Sequence, residues 1–135
     1  MIYLLDTNAC IVYMNGRAPR LRDRLDRLKP EDIAICSIVK AELFYGAMKS
    51  RDPANSLAKQ QRFLAPYASL PFDDAATLTY GKLRADLEAL GTPIGGNDML
   101  IAAIALASGL TLVTHNSREF GRVAGLKVED WEAGP

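Results

Sequence analysis

Three acids stand where a carboxylate is structurally unwelcome. Asp6 ends the apolar run Ile2-Tyr3-Leu4-Leu5, Glu42 lies within Ile38-Val39-Lys40-Ala41-Glu42-Leu43-Phe44-Tyr45, and Asp98 heads an Ala/Leu/Ile-rich stretch. Asn116 and Glu119 follow a further apolar run, Leu110 to Thr114. Buried carboxylates close to one another repel and raise each other's pKa unless a cation joins them. No cysteine accompanies these acids, and the chain has one histidine, so the donors are hard oxygens of the kind that suit Mg²⁺ or Mn²⁺. Each acid taken singly has a plainer role. Asp6 could begin a turn, Asp98 could cap a helix, and Glu42 could sit on a solvated face, although its neighbours leave little polar face there. His115 alone is poorly placed to found a metal site, and Asn116 is the better candidate for orienting a carboxylate or a water at an ion.

The elements that must position these groups follow from the hydrophobic pattern. Ile2 to Leu5 and Ile33 to Cys36 are short continuous apolar runs, as expected of strands buried on both faces of a parallel sheet. Ser69 to Phe72 reads as a third strand, whose Pro71 marks weak or edge pairing. Leu110 to Thr114 is the fourth, and a fifth falls near Leu126 to Val128. Helices are expected over Ala9–Met14 with Thr7 or Asn8 as cap, Pro19–Leu28, a segment from Ser37 to about Met48, and Ala54–Leu64. A longer helix runs from Asp73 or Asp74 to Leu90, with Leu78, Leu83, Leu87 and Leu90 inward. The helix that opens at Asn97-Asp98 and runs to Ser108 is apolar on all sides and therefore buried. Asn97 is its expected cap, which puts Asp98 in the first turn, where the helix dipole favours its charge. His115 to Phe120 reads as a polar loop. Strands alternating with helices predict an α/β domain. In such a sheet the ligand crevice lies beyond the carboxyl ends of the strands, where Asp6, Asn116 and Glu119 fall.

At 135 residues the chain is expected to form one domain over 1–135 with a core that needs no staples. The apolar runs are too short to span a bilayer, and the N-terminal run lacks a basic leader, which predicts a cytoplasmic protein. Cys10 and Cys36 are expected to be reduced. Sixteen basic and sixteen acidic residues cancel, so a case for nucleic-acid binding must be local. Arg17, Arg20, Arg22, Arg24 and Arg27 could follow a phosphate backbone, or form a solvated face paired with Asp23 and Asp26.

Four blocks stand in sequence order: Leu4-Leu5-Asp6-Thr7-Asn8; Ser37 to Gly46 with Ala41-Glu42-Leu43-Phe44-Tyr45-Gly46; Pro93 to Ala103; and Leu112 to Phe120, followed by a closing segment, Gly125 to Trp131. The four blocks resemble the PIN-domain family, and the closing segment is similar to its VapC toxin branch. The resemblance implies a three-layer α/β/α sandwich with a short parallel sheet. It further implies an Mg²⁺- or Mn²⁺-dependent endoribonuclease that cuts structured RNA such as tRNA or rRNA loops, leaving a 3′-hydroxyl and a 5′-phosphate. Such enzymes are toxins held in check by a VapB-type antitoxin and are commonly dimers. Carried onto this chain, Asp6, Glu42 and Asp98 would ligate the metal. Many relatives have a fourth acid after the fourth strand; here Asn116 or Glu119 would complete the site. Two rival readings differ in class. A haloacid-dehalogenase-like phosphatase would need a second acid two residues after Asp6, where Asn8 stands. A catalytically silent PIN-like partner-binding module would have no physical reason to keep buried acids.

Overall fold

The computed structural model describes residues 1–133. In chain order the elements are β1 (Tyr3–Leu5), α1 (Thr7–Met14), α2 (Pro19–Arg27), β2 (Ile33–Cys36), α3 (Ser37–Lys49), α4 (Pro53–Leu64) and β3 (Ala68–Leu70). Then come α5 (Asp74–Ala89), α6 (Gly96–Ser108), β4 (Thr111–Val113), α7 (Ser117–Phe120) and β5 (Val128–Glu129). All neighbouring strands pair in parallel, in the order β3-β2-β1-β4-β5. Leu4 and Leu5 point to opposite faces of the sheet and both are fully buried, so helices cover it on both sides. The result is the expected three-layer α/β/α arrangement, with β3 and its neighbouring Pro71 at an edge.

The strand order has a functional consequence. From β1 the chain moves outward through β2 to β3, then returns to lay β4 on the other side of β1. The connections therefore reverse direction between β1 and β4, and the crevice at such a switch point is where open α/β sheets bind ligands. Asp6 leaves the end of β1 and Thr114 the end of β4, so both flank that crevice.

Helix α6 is the structural centre expected from its composition. Ala102, Ala103 and Ala105 are buried with Ile101 and Ile104, and their small side chains admit close approach of α5. Gly109 ends the helix in the left-handed region at φ 66°, which costs glycine little.

Several local expectations are corrected. Asp6, not Thr7 or Asn8, caps α1, and Gly95 rather than Asn97 precedes α6. Asn97 is exposed and lies inside the helix, which starts at Gly96, two residues earlier than a cap at Asn97 would place it. Ser37 is the first residue of α3, the expected start of that helix, and Cys36 takes the cap position. Asp73 caps α5, and Leu83 and Leu87 face inward, but Leu78 and Leu90 are 81% and 72% exposed. Leu78, five residues before Leu83, falls off the buried stripe by the helical period, while Leu90 is the C-cap and lies past the last turn of α5. His115 to Phe120 is not wholly loop, since α7 forms within it.

Candidate active site

Asp6 is shaped by two demands at once. One carboxylate oxygen, Oδ1, accepts the Ala9 backbone N–H at 2.8 Å and so caps α1. The side chain is only 7% exposed, and the Thr114 hydroxyl also hydrogen-bonds it. Burial pushes the carboxyl from 3.8 up to about 6, with the charges of Asp98 and Glu132 adding to the rise and the Thr114 and Ala9 bonds opposing it. Thr114, 1% exposed, also accepts the Asn116 backbone N–H at 2.9 Å. One hydroxyl thus ties the acid after β1 to the loop after β4.

Glu42 enters from α3, half-buried, with Oε1 accepting the Thr7 hydroxyl at 2.5 Å. That bond joins the first residue of α1 to the middle of α3 and fixes where the carboxylate points. Asp98 lies in the first turn of α6, as expected. Its carboxyl is raised first by burial, then by the charges of Glu42 and Glu119. Asp6, Thr7, Asn8, Glu42, Asp98 and Asn116 line a single open cleft of about 270 Å³, with Ile11 and Phe120 as its apolar lining. Two larger depressions exist, at α5/α6 and between α1, α3 and α4, and only the second touches any of these acids, through Glu42.

Asn116 and Glu119 are brought together rather than chosen between. Asn116 lines the cavity and donates Nδ2–H to Glu119 Oε2 at 2.9 Å. Glu119 is half-buried on α7 and close enough to Asp98 for its charge to be felt there. Thr7 and Thr114 were not singled out by sequence. Their signal was positional: each stands next to a strand end or an acid that the crevice needs.

The basic stripe is largely taken up by the fold. Arg22 donates to the Tyr13 carbonyl and lies over the Tyr13 ring, while Arg27 pairs with Asp23. Arg24 bonds Glu129 at 3.1 Å and stacks on Trp131 with 4.9 Å to the ring centroid, pinning the C-terminal segment against α2. Of these three, Arg27 alone follows the expected pairing with Asp23 or Asp26; Arg22 is held by Tyr13 and Arg24 by Glu129 and Trp131 instead. Cys10 and Cys36 are both buried and free. His115, expected to be poorly placed for a metal site, in fact lies beside Asp130 and Glu132. Asp130 lies fifteen residues further along the chain, and the β4–β5 pairing creates the contact.

Residues 3–126 match the PIN domain family model. Ribonuclease VapC2 of Rickettsia felis is 43% identical over 133 residues, covering 98% of this chain and 99% of the relative. The tRNA(fMet)-specific endonuclease VapC of Salmonella typhimurium is 40% identical, covering 96% and 97%. Among solved structures, DNA-bound VapBC from Salmonella typhimurium superposes with a TM-score of 0.91 at 39% identity, covering 97% of this chain and 98% of that one. VapBC2 from Rickettsia felis bound to a promoter DNA fragment gives 0.88 at 40% identity, covering 97% and 99%.

Proposed function

The chain belongs to the PIN-domain family, and on that premise we propose that it is an endoribonuclease toxin that hydrolyses phosphodiester bonds in structured RNA with the help of Mg²⁺ or Mn²⁺. The observation that carries this reading is the convergence of Asp6, Glu42 and Asp98 on one cavity at the switch point of the sheet. Carboxylates gathered around one small cleft repel a polyanion, so a phosphodiester approaches their charged forms only with a cation between them.

The residues present fit such an ion. All the donors are oxygens, and the bonds from Ala9 and Thr114 use two of the roughly four acceptor sites of the Asp6 carboxylate, leaving others for coordination. A cavity of about 270 Å³ has room for an ion that keeps several of its waters. Asp6, Asp98 and Glu42 would hold it. When bound, such an ion offsets the negative charge that builds at phosphorus and lowers the pKa of a coordinated water. The chain's own residues set the geometry. Thr7 aims Glu42, Thr114 fixes Asp6, and the Asn116 amide restrains Glu119 beside Asp98. Attack by water on phosphorus with departure of the 3′-oxygen yields a 3′-hydroxyl and a 5′-phosphate. A single-stranded loop, whose linkages can be splayed out, suits so narrow a cleft.

Substrate and partners follow from the relatives. Given a relative that is a tRNA(fMet)-specific endonuclease, tRNA is the first substrate class to try. The VapBC complexes support a VapB-type antitoxin as partner, and an antitoxin Arg placed among the acids would mimic the cation. A second copy of the chain suits the exposed Leu78 and Leu90 beside the 670 Å³ groove of α5 and α6. An RNA substrate and two free cysteines accord with a cytoplasmic setting. Among the described residues no helix is long and apolar enough to cross a membrane. Expression of the chain alone is expected to arrest growth, with relief when its antitoxin is supplied. A chain that cuts RNA in vitro yet is harmless at high expression would remove the toxin role and leave the nuclease.

Asn116 and Glu119 can be tested by charge. Glu119→Gln is expected to raise the Mg²⁺ concentration for half-maximal activity, because a negative charge near Asp98 is lost. Asn116→Asp is expected to lower it, while destabilising the metal-free protein, since the new carboxylate would face Glu119 across a 2.9 Å contact. A metal titration in which neither change moves the midpoint would leave a three-acid site.

A further inference from the structure

The acid cleft leaves three groups unused at the adjoining rim of the sheet. His115 follows β4 and Asp130 follows β5, and these strands are parallel neighbours, so both residues emerge at the same edge. His115 Nδ1 lies 3.0 Å from Asp130 Oδ2 and 3.8 Å from Glu132 Oε2. The ligand atoms of the three residues all fall within 4.8 Å of one another. Asp130 is fixed in this pose, since its other oxygen accepts the backbone N–H groups of Glu132 at 3.0 Å and Ala133 at 3.3 Å.

The plain reading is a surface histidine paired with a carboxylate, and it accounts for Asp130. It does not account for Glu132. Among the described residues, Oε2 of Glu132 has no hydrogen-bond partner, and it has almost no contact with solvent. The Nδ1 atom of His115 carries at most one proton, and Asp130 is the nearer acceptor. A buried carboxylate oxygen left without a donor is costly, and a shared cation removes that cost for both acids together.

We propose that His115, Asp130 and Glu132 form a binding site for a divalent transition ion of the Zn²⁺ type, separate from the acid cleft. One imidazole nitrogen with two carboxylates suits Zn²⁺ or Co²⁺ better than Mg²⁺, which prefers oxygen donors throughout. Tetrahedral Zn²⁺ with ligands at about 2.0–2.1 Å holds them roughly 3.3 Å apart, between the two separations that His115 makes here. Three protein ligands leave the fourth position to water. The ion would clamp the loop after β4 to the segment after β5. His115 immediately precedes the cavity-lining Asn116, and the charge of Glu132 reaches Asp6, so occupancy bears on the rim of the cleft without entering it.

The test is calorimetric titration of the metal-free full chain with Zn²⁺, using backgrounds that disable one site at a time. An Asp6→Asn/Asp98→Asn double variant is expected to keep a Zn²⁺ site of near wild-type affinity. Adding His115→Gln to it is expected to lower that affinity by at least about tenfold. Co²⁺ is expected to give a visible absorption band in the double variant that His115→Gln abolishes. His115 is 60% exposed, so its replacement leaves the fold intact, which circular dichroism checks. Loss of all Zn²⁺ binding in the double variant, or unchanged binding after His115→Gln, would overturn the rim site.

Discussion

Asp6→Asn and Asp98→Asn are each expected to lower metal-dependent RNA cleavage by at least about 100-fold, on the scale of losing a charge aimed at the reacting centre. Neither change should unfold the chain. Asn keeps an oxygen that can accept the Ala9 N–H, so the cap on α1 survives at position 6. Stability should move the other way in the metal-free protein. The Asp6 carboxyl is raised in the folded state, from 3.8 to about 6, chiefly because burial disfavours its charge. A carboxyl raised on folding adds stability that is complete below about pH 4 and is lost as pH climbs through about 6. At pH 7 the wild type therefore carries a penalty of about 1–3 kcal/mol that Asp6→Asn relieves. Urea melts of the metal-free proteins between pH 4 and 8 check this. Wild-type stability should fall across that window and the variant's should fall less, since Asp98 is still raised by burial and by Glu42 and Glu119. Added Mg²⁺ should raise the wild-type melting temperature and leave that of Asp6→Asn almost unchanged. Near-full activity in Asp98→Asn would take Asp98 out of the site.

How much of this was legible beforehand depends on which physical signal each feature leaves in the chain. The strands and buried α6 announce themselves by composition, since a strand covered on both faces has no polar side and α6 has none either. The three acids stood out because carboxylates within such segments need a reason. Caps were less readable. Asp6, Thr7 and Asn8 are all good cap residues, and only the three-dimensional path of the chain decides that Asp6 takes the role. The long-range partners were not readable at all. Nothing local says that the Thr7 hydroxyl meets Glu42 thirty-five residues away, or that Glu132 returns to His115. Those contacts are consequences of strand order, and strand order becomes visible only in the fold.

Phe120 illustrates the same point from the side of the core. By sequence it closed a polar loop; in the fold it ends α7, is 1% exposed and walls the cleft beneath Asn116. Directly after it the chain turns so tightly that a Cβ at Gly121 would stand 2.7 Å from the Ser117 carbonyl oxygen. The helix that carries Glu119 is thus a single short turn, held by one buried ring and one glycine. Phe120→Ala is expected to cost about 3–5 kcal/mol, the usual range for removing a buried aromatic side chain. The melting temperature should fall by roughly 10 °C or more. Well below that temperature the variant should still be folded but should need more Mg²⁺ for half-maximal cleavage, because α7 no longer holds Asn116 and Glu119 against the cleft. Phe120→Leu, which refills most of the space, should recover most of both losses. Should the Ala variant lose stability while its Mg²⁺ midpoint stays put, Phe120 would serve the core alone, and α7 would not depend on it for placing Glu119.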